Sequence, residues 1–440
     1  MERVRRRRSG SRGAAAGGSL LLALLACAGP QRDGETQLTF WAFGREGEVV
    51  QDLVREFERQ TPGVRVKVQQ IPWLAAHEKL LTGIVGDMTP DIAQLGNTWI
   101  SEMVTLNALA SLDSFVTVPG GVEEADFFPG IWATNVMDGR VYGLPWYVDT
   151  RLLFYRKDLF EKAGIREPPT TWDAWYDAMR LVRDSAGAQY GIFLPLSEWN
   201  PLVIMGMQAG SPLLSEGGLR GMFSGPEFRK AFEFYARIFR DTLAPPAGQQ
   251  QIANAYQEFE RGTFAMYITG PWQLGEFANR LSPGMQDAWA TAPLPGPTGD
   301  SSGVSMAGGS SLVVFDASPN KAAAWKLIEF LSLPAQQARF YEISGNLPPS
   351  YAAWLDPALA GNERAAAFRT QLDRLRPLPK LPEWEQIATR TFEYGERVVR
   401  GAMTVDQAVV ALDADVDRLL EKRRWIAERR ERAGGPGGSR

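Results

Sequence analysis

One cysteine and one histidine in 440 residues leave little room for most catalytic and metal chemistry. Structural zinc sites and thiol or hydroxyl nucleophiles activated by imidazole draw repeatedly on these two residue types. A single cysteine also rules out an intramolecular disulfide. His77-Glu78 begins like a zinc-protease motif, but Leu81 stands where the second histidine belongs. His77 falls inside an amphipathic segment and reads as an exposed or hydrogen-bonded structural residue. There is no Walker A glycine-rich loop and no calcium-loop spacing. Ser318-Pro319-Asn320-Lys321 has the serine–lysine spacing of penicillin-recognising enzymes without their companion motifs, and reads as a helix cap with proline in the first helical position. No metal or cofactor is called for. After residue 27 no apolar run resembles a membrane span.

The first residues have a different character. Arg3, Arg5, Arg6, Arg7, Arg8 and Arg12 form a basic region, followed by the apolar run Leu20 to Ala26. That run is too short to cross a bilayer but long enough for the core of a signal peptide. The only cysteine comes next, in Leu24-Leu25-Ala26-Cys27, which resembles the lipobox of bacterial lipoproteins. The resemblance implies lipidation at Cys27 and retention on the outer face of a bacterial membrane, in the periplasm or its equivalent. Residues 1–26 carry six arginines and one glutamate, so their removal takes the formal charge from −4 to −9. An acidic surface repels phosphate backbones, which argues against nucleic acid as a partner.

The full chain is 45% hydrophobic and 22% charged, the profile of a globular protein, and is long enough for two lobes. Leu38 to Phe43 reads as a strand. Val49, Val50, Leu53, Val54 and Phe57 follow at helical spacing up to Thr61-Pro62-Gly63. Val64, Val66 and Val68 alternate as a strand, Trp73 to Ile84 reads as a helix, and Asp91 to Leu95 as another strand. This alternation predicts an α/β lobe with a mostly parallel sheet. Further on, Leu152 to Arg156 and Thr263 to Ile268 read as strands. Thr170 or Thr171 caps a helix opening at Trp172, and residues 226–240 form a strongly amphipathic helix. A Pro/Gly-rich loop spans residues 293–303, and Leu312 to Phe315 forms a strand behind Gly308-Gly309-Ser310-Ser311. Thr404 and Gln407 make a capping box for the last long helix. Beyond Glu428 the Arg/Gly-rich composition predicts disorder.

Seven segments, taken in order, resemble the family-1 extracellular solute-binding proteins of ABC importers, the group that includes maltose- and trehalose-binding proteins. They are Thr39-Phe40-Trp41, Thr89-Pro90-Asp91-Ile92, Tyr142 to Trp146, Leu153 to Phe160, Pro169 to Asp173, Gly262 to Trp272 and Ser318 to Trp325. The resemblance runs from about residue 37 to 425. It implies a type II periplasmic-binding fold of two α/β lobes with a hinge and a ligand cleft between them. The implied division is 1–26 signal peptide, 27–36 flexible tether, 37–147 with 290–345 as one lobe, 148–289 with 346–428 as the other, and 429–440 as a tail. The expected crossings lie near Tyr147 to Arg151 and within residues 285–305.

Pyranose rings have apolar faces and a hydroxyl rim, so a sugar site needs flat aromatic platforms beside short hydrogen-bonding groups. Trp41, Trp73, Trp99, Trp146, Trp199 and Trp272 cluster at predicted element ends, with Glu46, Asn97, Asp149, Asn200 and Ser310 nearby in sequence. Loops at the carboxyl ends of parallel strands are where such sheets bind ligands. The resemblance places contacts there, at Trp41, Phe43, Glu46, Asn97 and Trp99, and adds Tyr147 and Asp149 in the crossing segment. It also matches Trp272, behind Gly270-Pro271, to a stacking tryptophan of the other lobe. Gly308, Gly309 and Ser310 would let backbone amides approach a ligand. Asn97 stands where the family often has aspartate. Trp172, Trp175, Trp289 and Trp325 read instead as core.

The expectation is therefore a monomeric, non-enzymatic carbohydrate-binding lipoprotein that hands a neutral di- or oligosaccharide to an ABC permease. Two alternatives stay open on sequence grounds. One is a periplasmic glycosidase using paired carboxylates such as Glu46 and Asp149; the other is a lipoprotein that reports ligand occupancy to a membrane sensor.

Overall fold

The computed structural model describes residues 35–116, 121–248, 251–252 and 254–433. The leader, Cys27, most of the tether and residues 434–440 lie outside that set. The described strands are β1 (Thr36–Phe43), β2 (Val64–Ile71), β3 (Ile92–Gly96), β4 (Val136–Met137), β5 (Arg140–Val141) and β6 (Leu144–Asp149). They continue with β7 (Leu152–Arg156), β8 (Tyr190–Phe193), β9 (Phe264–Thr269), β10 (Trp289–Ala292), β11 (Ser305–Val314) and β12 (Leu375–Pro377). A larger sheet has the order β12-β11-β3-β1-β2, with β6 also pairing with β11, and a smaller one has the order β10-β7-β9-β8.

Within the larger sheet β2, β1 and β3 run parallel, joined by the helices Glu46–Gln60 and Trp73–Val85. β11 and β6 enter antiparallel, and in the smaller sheet β7 is antiparallel to both neighbours. The mostly parallel sheet predicted from strand–helix alternation thus holds for β2-β1-β3. It fails at β11, which lies antiparallel to β3 and β6, and at β7, although β11–β12 and β8–β9 are again parallel. Alternation along β1 assigns its faces. Leu38, Phe40 and Ala42 pack with Val50, Leu53, Val54 and Phe57 of the first helix, while Trp41 and Phe43 share the opposite face with Ala76 and Leu80. Burying one such large side chain contributes on the order of 1.5–3 kcal/mol.

Asp91 ties these elements together. Its carboxylate accepts from the Thr39 amide and hydroxyl, and from Ser318 and Asn320. Ser318 is therefore occupied upstream of the helix Lys321–Ser332, which begins after Asn320, so Pro319 precedes the helix rather than opening it. Thr171 caps the helix Trp172–Ala186 through the Ala174 amide, and Thr404 with Gln407 forms the reciprocal box of the helix Val405–Leu419. The final helix, Glu421–Ala433, continues past Glu428, where composition alone predicts disorder.

The chain leaves the larger sheet at Asp149 and joins the smaller one at Leu152, then returns between Ala292 and Ser305. The two crossings touch: the Ser305 hydroxyl accepts from the Arg151 amide at 3.2 Å and donates to its carbonyl at 2.9 Å. The smaller sheet is covered by the helices Trp172–Ala186, Asn200–Gln208, Pro226–Arg240, Trp384–Val399 and Val405–Leu419, which share one apolar core. Trp172, Trp175, Trp289 and Trp325 are all buried.

Candidate functional site

A cavity of about 500 Å³ lies beside both crossings. One wall is built from the carboxyl ends of the parallel strands, where unpaired backbone and loop side chains converge. After β1 it receives Glu46, after β2 Trp73, and after β3 the turn Asn97-Thr98-Trp99. Tyr147 and Asp149 of β6 and Gly308 to Ser310 of β11 form its floor. The other wall carries Arg151, Trp199, Asn200, Trp272 and Glu385.

Aromatic side chains meet the cavity from both walls. Trp73 and Trp99 pack edge to face at 5.8 Å between centroids, and both rest on Phe43, at 5.2 and 6.0 Å. Phe43 itself is fully buried behind them. Opposite, Trp272 opens the helix Trp272–Arg280, and its ring folds back over Gly270. A β-carbon at Gly270 would sit 2.0 Å from that ring, so glycine is what permits this rotamer. Trp73 and Trp272 are each 37% exposed, so each offers part of its indole to the cavity. Arg151 lies 4.8 Å from the Trp272 ring centroid, a cation–π arrangement that holds the indole.

The polar groups are positioned by a buried network. Gln94 accepts from the Phe43 amide at 2.8 Å and donates to the hydroxyls of Tyr147 and Ser310, at 3.1 and 3.3 Å. Ser310 also donates to Tyr147 at 3.0 Å. Burial, reinforced by the charges of Glu46 and Asp149, pushes the Tyr147 phenol well above its ordinary range, so it stays neutral. Glu46 accepts from Asn346 at 2.9 Å and from the Trp73 indole at 3.3 Å. Asp149 pairs with Arg151, yet burial outweighs that partner and raises the carboxyl above its usual range. Asn97 accepts from Ser311 at 3.0 Å.

Three buried polar atoms of the lining residues have no hydrogen-bond partner among the described residues: Asn97 Nδ2, Asn200 Oδ1 and Arg151 Nε. Leaving such a group unpaired costs on the order of 1–3 kcal/mol, which a hydroxylated ligand could offset. Gly309, with φ +130°, lets β11 approach β6; a β-carbon there would meet the Tyr147 carbonyl at 2.2 Å. Among the described residues no cluster of His, Cys, Asp and Glu is arranged to hold a metal ion. No described helix is long and apolar enough to cross a membrane.

Of the residues singled out from the sequence, Glu46, Trp73, Asn97, Trp99, Tyr147, Asp149, Trp199, Asn200, Trp272, Gly308, Gly309 and Ser310 line this cavity. The others do not. Trp41 sits one pleat back from Phe43 on the same face of β1, against Gly83 and under the Lys79 ammonium at 4.9 Å. Trp146 stacks on Phe340 at 4.5 Å inside the core. Phe43 supports the lining tryptophans from behind, and Gly270 acts through the Trp272 rotamer.

Sequence reasoning missed Gly96, Thr98, Val148, Met306, Asn346 and Glu385, and placed Arg151 only at the end of a crossing. Asn346 follows Gly345, whose φ of +80° ends the helix Pro334–Ser344, so Gly-Asn before Leu-Pro-Pro was a readable turn signal. Glu385 carries none, being one acidic residue in the first turn of an amphipathic helix.

The family model described as "Bacterial extracellular solute-binding protein" matches residues 43–338. The chain belongs to this family. The solved sugar-binding protein MalE of Xanthomonas citri is 47% identical to this solute-binding protein, covering 89% of this chain and 99% of its own, with a TM-score of 0.86. The diacetylchitobiose-binding protein DasA of Streptomyces coelicolor is 26% identical, over 84% of this chain and 88% of its own. The galactooligosaccharide-binding protein of Bacillus subtilis is 27% identical, over 88% and 92%. The fold is the MalE-like type II periplasmic-binding fold. Family and relatives are binding proteins rather than enzymes.

Proposed function

We propose that this solute-binding protein captures a neutral di- or oligosaccharide and presents it to the permease of an ABC importer. The observation that carries the reading is the pairing of tryptophans on both walls with amide, carboxylate and hydroxyl side chains between them. Indole faces match the C–H faces of sugar rings, and the polar atoms match their hydroxyls. The charge balance supports a neutral ligand: Glu46, Asp149 and Glu385 line the cavity against Arg151, whose guanidinium is already engaged by Asp149. The sugar ligands in the names of the relatives agree with it.

The two sheets serve as cores of two lobes, the chain passing between them from Asp149 to Leu152 and again between Ala292 and Ser305, and the crossings at Arg151 and Ser305 act as the hinge. Closure buries the ligand, and the affinity includes the cost of populating the closed form. The protein works as a monomer outside the cytoplasmic membrane, held by lipid on Cys27. We assign it no catalysis, in keeping with a family and relatives that are binding proteins; Glu46 is engaged by Asn346 and Trp73, and Asp149 by Arg151.

Titrating neutral and anionic saccharides while following tryptophan fluorescence and heat of binding tests this reading. Saturable binding of a neutral di- or oligosaccharide, weakened in Trp272→Ala, is expected. Binding confined to anionic sugars or to non-sugar solutes would overturn it.

A further inference from the structure

Thr98 and Glu385 come from opposite walls of the cavity and hydrogen-bond directly to each other, the hydroxyl donating to Oε1. Thr98 stands in the short 3₁₀ turn Asn97–Trp99 that follows β3 of the larger sheet. Glu385 is in the first turn of Trp384–Val399, one of the helices covering the smaller sheet. Neither residue is loosely held. Trp99, next to Thr98, packs against Phe43, Trp73 and His77, and His77 is in turn bound to Glu102 at 2.6 Å. Trp384, next to Glu385, is fully buried and meets the ring of the lining residue Trp199 at 5.8 Å. Glu385 also sits in the first turn of its helix, where an acidic side chain is in favourable register with the helix dipole.

A hydrogen bond between two such fixed points favours whichever domain arrangement contains it. We infer that Glu385 is a positioning residue for ligand capture: by bonding Thr98 across the cleft, it biases the ligand-free protein toward the closed arrangement. The inference rests on the hinge-closure reading above. Because the apparent dissociation constant scales inversely with the closed fraction, losing the bond weakens every ligand of the cleft by a similar factor, whatever the sugar.

The test compares wild type with Thr98→Val, Glu385→Ala, the double variant and Thr98→Ser, which keeps the hydroxyl. Small-angle scattering of each ligand-free protein reads closure without needing a ligand, and calorimetric titration with a bound sugar reads affinity. The expected result is a larger radius of gyration in both single variants, restored in Thr98→Ser. Affinity should fall about tenfold in each single variant and no further in the double variant. Unchanged ligand-free scattering, or affinity losses that add in the double variant, would overturn the inference, since a residue that only touches sugar behaves that way. If no saccharide binds at all, the sugar assignment fails while the scattering comparison still decides whether the bond holds the lobes together.

Discussion

Tryptophans that look alike in the sequence do three different jobs, and their neighbours decide which. Trp272 is partly exposed, folded over Gly270 and held by Arg151. Its replacement by alanine should cost about tenfold or more in sugar affinity by calorimetry, with the melting temperature nearly unchanged. Trp146 is buried on Phe340, so Trp146→Ala should lower stability by about 3–5 kcal/mol in denaturant unfolding. Trp41→Ala should leave affinity near wild type, because Trp41 faces the helix Trp73–Val85. Composition and position at element ends were enough to find Trp73, Trp99, Trp199 and Trp272. They could not separate these from Trp41 and Trp146, because the distinction rests on strand register and on Phe340, nearly two hundred positions away from Trp146.

His77 gives a pH signature at the same scale. Its hydrogen bond to Glu102 raises its pKa, helped by the charges of Glu102 and Glu385 and opposed by burial. The raised folded value means that its stabilisation is complete below the ordinary imidazole value, about 6.5, and is lost as pH rises through the folded value. Melting temperatures of wild type and His77→Gln should therefore differ most on the acid side of that window and converge at higher pH. A constant difference at all pH values would contradict this role.

At the scale of elements, the floor of the cavity depends on how closely β11 lies against β6. Gly309→Ala places a β-carbon on the Tyr147 carbonyl at a backbone angle that side chains rarely adopt. It should destabilise the protein by about 2 kcal/mol or more and weaken sugar binding together with stability, as read by thermal melts and titration. The elements themselves were largely readable. Valine alternation marked β2, the capping box at Thr404 marked its helix, and Thr171 marked another. The antiparallel entry of β6 and β11 was not readable, because those pairings join strands more than 150 residues apart and no local periodicity encodes them. Ser318 shows the same limit in miniature: its hydroxyl accepts the local Asn320 amide, as the pattern suggests, and also donates to the distant carboxylate of Asp91, which no local pattern encodes.

For the molecule as a whole, ordered motifs were more informative than any single residue. Seven short segments in sequence pointed to the family, and the sheets place the crossings at Arg151 and Ser305, close to where those motifs implied a hinge. The cavity wall contributed by Asn346 and Glu385 came from late segments whose route back to the cleft only the fold reveals. The account stands on capture of a neutral sugar without turnover. A thermal-shift screen of the protein lacking residues 1–27, against mono-, di- and oligosaccharides, anionic sugars and amino acids, tests that most directly, with product analysis after long incubation. The account predicts a selective rise in melting temperature with a neutral di- or oligosaccharide, recovered intact. A shift only with another class of solute, or cleavage of the bound sugar, would contradict it.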